Sequence, residues 1–381
     1  MLKVIQFIHG LNMGGAETLV KDYALGFDKS KIDLTVLCFE RYNSPYEKIL
    51  KDAGINVIYI CDEMPLFERR EIWARVINKF MLFLKIKKYI HKIDPDIIHE
   101  HLILNSYLKF ARPGKKTIIF YTQHFQIKRW IEHYSKEVKA LKWLMKHYKV
   151  CFIALNNLMK KELDEYFHID STVILKNGVN LDKFCLVLTG TEMREKLGIP
   201  KETFVVGHVG RFSEIKNHEF LVDVFAEIVK KNENTFLLMI GKGETMKAVR
   251  RKLKSFKLDN KAMIISDRTD IPDLMKAMDI LVFPSFSEGM PVSLVEAQIS
   301  GVKCLVSKEA ISKEIEISNL IRYKSLEEPA SNWADEVLRW EEEKIEYVGV
   351  DDWDMEKVIK NLENLYYKTV ETNKSNEKAN N

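Results

Sequence analysis

Arg211 and Lys216 stand five positions apart in Val209-Gly-Arg-Phe-Ser-Glu-Ile-Lys-Asn, and Glu288 and Glu296 are separated by seven residues in Asp279-Ile-Leu-Val-Phe-Pro-Ser-Phe-Ser-Glu-Gly-Met-Pro-Val-Ser-Leu-Val-Glu-Ala. A guanidinium and an ammonium fixed at one place neutralise a diphosphate, Arg through a forked contact and Lys as a point charge. Taking a group off a diphosphate needs that charge, because negative charge grows on the leaving oxygen. A divalent metal does the same work. Two basic side chains with a helix N-terminus make it unnecessary, so neither metal nor cofactor is expected. The glutamates cannot also face phosphate and are left for hydroxyls or cations. A ligand joining phosphate to sugar hydroxyls meets both demands. The plainer reading pairs each cation with a surface carboxylate; against it stands their shared place at one strand end.

The elements that must hold these groups follow from the pattern around them. Asp279 to Phe283 reads as the end of a buried strand, Glu288-Gly289 as a tight turn, and Val292 to Gln298 as a helix. Pro291 suits that helix's first turn, where free N–H groups and a positive dipole end favour phosphate. Phe204-Val-Val-Gly-His-Val-Gly is a strand that feeds the Arg211–Lys216 loop, with a helix from about Glu219. Phe236 to Ile240 ends at Gly241-Lys-Gly243-Glu244, and Ala262 to Ser266 leads to Arg268. Lys303-Cys-Leu-Val-Ser is a further strand.

An earlier series of strand–helix units fills the first half. Lys3 to His9 is a strand running into Gly10-Leu-Asn-Met-Gly14-Gly15-Ala-Glu17 and a helix. Adjacent glycines make either a plain tight turn or a loop whose backbone N–H groups approach a ligand; the spacing is not GxGxxG and no dinucleotide fingerprint is supported. Pro95-Asp-Ile-Ile-His-Glu-His and Thr117-Ile-Ile-Phe-Tyr-Thr-Gln-His124 are strands ending in polar residues. Histidines there are more often structural than functional, and of His99, His101 and His124 the last is the strongest candidate. Asp94-Pro-Asp96 has a DxD form but merely opens a strand.

Length and composition set the frame. At 381 residues, 46% apolar and 30% charged, the chain is a globular protein of two domains rather than one. Five scattered cysteines without a CxxC pair argue against zinc and disulfides and for a reducing cytosol. No window reaches the roughly 18 apolar residues that span a bilayer. Residues 1–150 hold 26 Lys and Arg against 16 Asp and Glu, and the rest 33 against 39, so the first half is the one to meet an anionic partner. Its stretch from Pro65 to Lys92 interleaves Arg69, Arg70, Arg75, Lys79, Lys85, Lys87, Lys88 and Lys92 with Trp73, Phe80, Leu82, Phe83 and Ile86. Such a helix can lie on an anionic membrane or simply turn a solvated basic face outward. A second basic aromatic stretch, Lys128 to Lys149 with Trp130, Tyr134, Trp143 and Tyr148, adds to the membrane reading.

The expected architecture is α/β: two Rossmann-like doubly wound parallel-sheet domains facing across a cleft. Residues 1–178 form the first, 179–200 a linker without strong periodicity, and 201–354 the second. A helix at about 355–370 is placed to pack back on the first, and 371–381 is a disordered polar tail.

Taken together, Arg211 with Lys216, Gly241-Lys-Gly243-Glu244, and Glu288 with Glu296 resemble the retaining glycosyltransferases of family 4, with the GT-B fold. Gly14-Gly15-Ala-Glu17 and Asn177-Gly-Val-Asn-Leu-Asp-Lys-Phe184 extend the similarity over roughly residues 3–340. The end of the second domain is most similar to bacterial enzymes of capsular or exopolysaccharide synthesis. The resemblance implies that Arg211 and Lys216 hold the diphosphate of a nucleotide-sugar and that Glu296 takes the ribose hydroxyls. It places Glu288 on the donor sugar, with Gly289, Met290 and Pro291 shaping that pocket, and the N–H groups of Val292, Ser293 and Leu294 on the distal phosphate. Gly14 and Gly15 approach the phosphates from the first domain, His124 sits near the reacting centre, and the loop around Arg268 contacts the base. Ser266, Asp267 and Thr122-Gln-His-Phe depart from the family pattern and leave base and acceptor open.

The reading is thus a metal-independent retaining glycosyltransferase. It moves a sugar, from a UDP-sugar by preference, to a glycan or lipid-diphosphate acceptor for cell-surface polysaccharide. Its setting is the cytoplasm, peripheral at the inner face of the membrane through the basic first domain, with no nucleic acid partner. The alternatives are a sugar-nucleotide epimerase or hydrolase on the same fold, and a non-catalytic nucleotide- or glycan-binding protein.

Overall fold

Strand runs such as Leu2–Ile8 and Ile280–Phe283 are apolar on both faces because helices cover both faces of a parallel sheet. The structure, a computed structural model, describes residues 1–64, 72–184, 188–341 and 344–380. Contacts divide the chain into two units, Met1–Gly178 with Met355–Asn381, and Val179–Asp354.

The first unit is built on a seven-stranded sheet of β1 (Leu2–Ile8), β2 (Ile32–Cys38), β3 (Asn56–Tyr59), β4 (Ile97–His101), β5 (Ile118–Thr122), β6 (Val150–Ala154) and β7 (Val173–Ile174). Its order is β3-β2-β1-β4-β5-β6-β7, every pair parallel. The second carries β8 (Phe204–Val209), β9 (Thr235–Ile240), β10 (Ala262–Ile265), β11 (Ile280–Phe283), β12 (Lys303–Ser307) and β13 (Ile321–Lys324). Here the order is β10-β9-β8-β11-β12-β13, again wholly parallel. In each sheet the winding reverses once, between β1 and β4 and between β8 and β11. Loops leaving those strand ends diverge, and ligands of such sheets bind there.

The chain's last helix, Met355–Asn380, belongs to the first unit. Val358, Ile359, Leu362, Tyr366 and Val370 recur at helical spacing and fill one core with Val4, Tyr23, Phe27, Ile97 and Phe120. The approach is close. A Cβ on Gly178 would lie 2.7 Å from Met355 Cα, and one on Gly26 would lie 2.3 Å from Ile359 Cδ1.

Two expectations need correction, and a third falls partly outside the described residues. The stretch expected as a disordered tail, 371–381, is helical as far as Asn380, because nothing in it breaks the helix: it holds neither Gly nor Pro. The expected linker contains a helix, Gly190–Leu197, started by a capping box in which Thr189 and Glu192 bond each other's backbone. That Thr-x-x-Glu signal was present in a segment whose apolar period is weak. The basic helix expected from Pro65 is described from Ile72 to Ile93, while Arg69 and Arg70 lie outside the described residues.

Leu362 is fully buried between the sheet and the last helix. Leu362→Ala is expected to lower unfolding free energy by about 2–5 kcal/mol, read from urea denaturation of the full chain. An unchanged midpoint would show that this helix does not complete the first core.

Candidate active site

In the second unit the loops after β8 and β11 are tied together by the N–H of Phe286, which donates to the carbonyl of Ile215 at 2.8 Å. That bond sets Lys216 against Glu288, Nζ to Oε1 at 2.8 Å, with side-chain exposures of only 16% and 11%. The ammonium also lies 4.4 Å from the centre of the Phe283 ring, a cation–π contact that strengthens away from water. Asn217, at φ 52°, ends the short Glu214–Lys216 turn and starts the His218–Lys231 helix.

Under Lys216 lie two buried histidines that sequence reasoning passed over. His208 Nδ1 bonds the Val282 carbonyl at 2.9 Å. His218 stacks on Phe212, with centroids 4.1 Å apart, and meets His208 edge-on at 4.5 Å. Burial holds His208 at about 4 and His218 at about 2, with the Lys216 charge pushing both the same way. The signal was weak: two histidines in apolar surroundings usually mean packing.

Gly241 and Gly243 bring the loop after β9 onto the backbone of the loop after β8. Gly241 has φ +147°, and its Cβ would stand 2.0 Å from the Gly210 carbonyl oxygen; one on Gly243 would stand 2.2 Å from that of Phe212. No side chain fits at either position. Arg211 points outward, 61% exposed, and only approaches Glu244 at 3.8 Å. Arg268 is occupied differently: its guanidinium forks onto Asp270, with Nε to Oδ1 at 2.7 Å. Any base contact from this loop therefore falls to backbone or requires that fork to open.

The helix after the Glu288-Gly289 turn is Val292–Ile299, starting at Val292 as expected, with Pro291 as its N-cap and not within its first turn. Leu294 N–H, expected to face phosphate, instead bonds the Pro291 carbonyl at 3.0 Å. Helix geometry leaves the N–H groups of Val292 and Ser293 unpaired within the helix. Gln298 anchors the far end, its amide donating to the carbonyls of Leu294 and Ile315 and accepting from Ile317 N–H at 3.1 Å. Glu296 sits half-buried on the helix, Met290 and Pro291 are buried, and Gly289 is half-buried. Arg211, Lys216, Gly241, Gly243, Glu288 and this helix start thus gather at the C-terminal ends of β8, β9 and β11.

In the first unit Gly14 caps the Gly15–Gly26 helix in an extended conformation. A Cβ on Gly14 would strike the Glu17 carboxylate at 2.4 Å, whereas one on Gly15 would meet nothing. Among the described residues, packing therefore does not require a glycine at Gly15. His124 is half-buried, and its Nε2 lies 3.1 Å from His101 Nδ1. His101 in turn reaches Gln6 Oε1 at 2.7 Å, and Gln6 Nε2 donates to the Tyr366 hydroxyl at 3.1 Å. His99 joins Tyr366 and Thr122, each at 2.6 Å. Gln6 and Tyr366 were missed, although a lone glutamine inside an apolar strand is a signal. Burial lowers His99 to about 3 and His124 to about 4, and holds His101 well below the ordinary imidazole range. Asp94 and Asp96 are structural, binding Lys116 at 2.6 Å and the Lys3 N–H at 2.9 Å respectively.

Known proteins supply the context. Residues 13–183 match the family Glycosyltransferase Family 4, and residues 190–351 match Glycosyl transferases group 1. A putative glycosyltransferase EpsF of Bacillus subtilis is 23% identical over 88% of this chain and 87% of its own. The UDP-Gal:alpha-D-GlcNAc-diphosphoundecaprenol alpha-1,3-galactosyltransferase of Escherichia coli is 28% identical over 68% and 70%. Capsular polysaccharide biosynthesis glycosyltransferase CapH of Staphylococcus aureus is 24% identical over 86% of each. Among solved structures, Anabaena HepE in complex with UDP and glucose superposes over all of both chains with TM-score 0.70 at 16% identity.

The edge-on pair His208 and His218 gives the second unit a pH signature. Below about 6.5 an unfolded histidine takes up a proton, while His208 stays neutral down to about 4 and His218 to about 2. Their contribution is complete above pH 6.5 and is lost as pH falls through that window, by up to about 1.4 kcal/mol per pH unit for each. Thermal melts from pH 7 to 4.5 should therefore fall steeply, and His218→Phe should flatten the slope. An equal slope in the variant would refute the assignment.

Proposed function

Because the chain belongs to glycosyltransferase family 4 and is a GT-B glycosyltransferase of polysaccharide biosynthesis, we propose that it transfers a sugar from UDP, with retention and without metal, to a lipid-diphosphate-linked acceptor. The Lys216–Glu288 contact carries this reading. It holds a cation and a hydroxyl-binding carboxylate side by side at the reversal point of the second sheet, next to the start of the Val292–Ile299 helix. A donor diphosphate takes Lys216 from one side while Arg211 turns from Glu244 to fork onto it. Glu288 then accepts hydrogen bonds from the donor sugar, and Glu296 from the ribose. The helix start adds its dipole and the N–H groups of Val292 and Ser293.

In the transfer itself the bond from C1 to the phosphate oxygen breaks and the bond from C1 to the acceptor oxygen forms on the same face. The acceptor's proton passes to the departing phosphate. Both cations gain interaction as charge builds on that oxygen, which is where rate is won. The UDP preference is supported by the E. coli relative, whose donor is UDP-Gal, and by HepE with bound UDP. The acceptor class is supported by the diphosphoundecaprenol substrate in the name of that same relative.

Membrane attachment is proposed for the Ile72–Ile93 helix. Trp73, Val76, Ile77, Phe80 and Leu84 are 39–63% exposed and recur every three or four residues, so they share one face. Exposed Lys87 and Lys88 continue that face, with Lys79 and Lys92 exposed beside it. An apolar stripe bordered by lysines suits an anionic lipid surface. No helix among the described residues is long and apolar enough to cross a membrane. The second basic stretch offers less: Trp130 is fully buried and packs on Tyr121 and Phe167.

Glu288→Gln should lower kcat/KM at least about a hundredfold, the scale of losing one transition-state contact, in an assay of labelled sugar transfer to lipid-diphosphate acceptor. Unchanged turnover would favour a binding protein, and equal UDP release without acceptor would favour a hydrolase. For attachment, the protein should sediment with phosphatidylglycerol vesicles but not with phosphatidylcholine vesicles, and Phe80→Ser with Leu84→Ser should abolish this. No sedimentation at low salt would end the membrane proposal.

A further inference from the structure

Gln6 is the one polar residue in the buried part of β1, and it is wholly shielded from water. Its amide bridges the last helix and the end of β4: Nε2 donates to the Tyr366 hydroxyl at 3.1 Å, and Oε1 faces His101 Nε2 at 2.7 Å. A carbonyl oxygen can only accept, so His101 Nε2 carries the proton. In a neutral imidazole the other nitrogen is then a lone pair. His101 Nδ1 meets His124 Nε2 at 3.1 Å, so the proton between them belongs to His124. His124 Nδ1 is left as an acceptor. On the other side the Tyr366 hydroxyl, receiving from Gln6, gives its own proton to His99 Nδ1, and His99 Nε2 donates to Thr122 Oγ1.

We propose that Gln6 and His101, braced by Tyr366, fix His124 in the Nε2–H tautomer, so that His124 Nδ1 accepts a hydrogen bond from a substrate hydroxyl and turns phosphate away. The three bracing residues are positioning residues. His99 and His101 are fully buried whereas His124 is half-buried, so His124 is where the relay leaves the protein interior. A lone pair there attracts an O–H and repels an anionic oxygen. Burial keeps His99, His101 and His124 neutral at physiological pH, which preserves the alternation of donor and acceptor along the chain. Reversing the Gln6 amide would reverse every bond in it and leave His124 Nδ1–H as a donor suited to phosphate. The polarity of one buried amide therefore decides which substrate group His124 meets. The inference rests on the glycosyl-transfer reading for the identity of that hydroxyl, but the tautomer does not depend on it.

The test uses the full-length protein labelled with 15N in histidine. Two-bond 15N–1H spectra report the tautomer, with His124 assigned by the signal lost in His124→Asn. The wild type should show His124 with the proton on Nε2. Gln6→Leu should mix the two tautomers and lower kcat roughly ten- to a hundredfold, the scale of losing a partner that orients a histidine, while KM for the UDP-sugar stays unchanged. Tyr366→Phe, a smaller change, should shift the mixture the same way and guards against misfolding of the first variant. A wild-type His124 protonated on Nδ1 overturns the proposal, as does a tautomer unmoved in both variants. If the tautomers behave as expected but no acceptor is glycosylated, the relay stands and the transfer reading falls.

Discussion

One ammonium–carboxylate contact, Lys216 with Glu288 at 2.8 Å, orders the second unit's strand ends. It forms only if the loops after β8 and β11 run side by side, and those loops are neighbours because the two strands pair in the middle of the sheet. An ion pair so far out of water is poor evidence for stability, since well-packed apolar residues often do as well. Its retention at the sheet's reversal point makes better sense as stored binding capacity. A phosphate and a sugar hydroxyl can each take one member, and neither member is then left with its charge unmet.

Charge and neutrality are divided with some care. Around Lys216 the protein places rings with little polarity, namely Phe283 on its face and the His208–His218–Phe212 stack below. Burial keeps those histidines uncharged, so the ammonium is the local source of positive potential. Arg211 follows the opposite design, exposed and loosely held. A rigid cation and a movable one suit a ligand that must enter and leave. The first unit uses its buried imidazoles in another way, as a chain of directed hydrogen bonds without net charge.

Much of this was legible in the sequence. Alternating apolar runs and glycine loops gave two parallel sheets, and the Arg211, Lys216, Glu288 and Gly241 signals fell at strand ends where the structure gathers them. What could not be read was pairing. Nothing in the spacing says that Arg268 forks onto Asp270 two residues away, or that Leu294 spends its N–H on Pro291. Both partners lie two or three residues away and are set by short-range geometry, which an apolar period does not carry. Gln6 and Tyr366 are 360 positions apart, and no periodicity connects them. The helix in the expected linker escaped because its capping box, not an apolar stripe, announces it.

The return of the last helix to the first sheet has a consequence for how the chain comes into being. The second unit, Val179–Asp354, is continuous in sequence, so all of its core has been synthesised before the Met355–Asn380 helix is complete. The first unit begins earlier yet cannot close, since Leu2, Val4 and Phe120 wait for Leu362 and Tyr366 to cover them. The unit begun first is therefore closed only after the second has been made, and until the Met355–Asn380 helix arrives one face of its sheet stays bare.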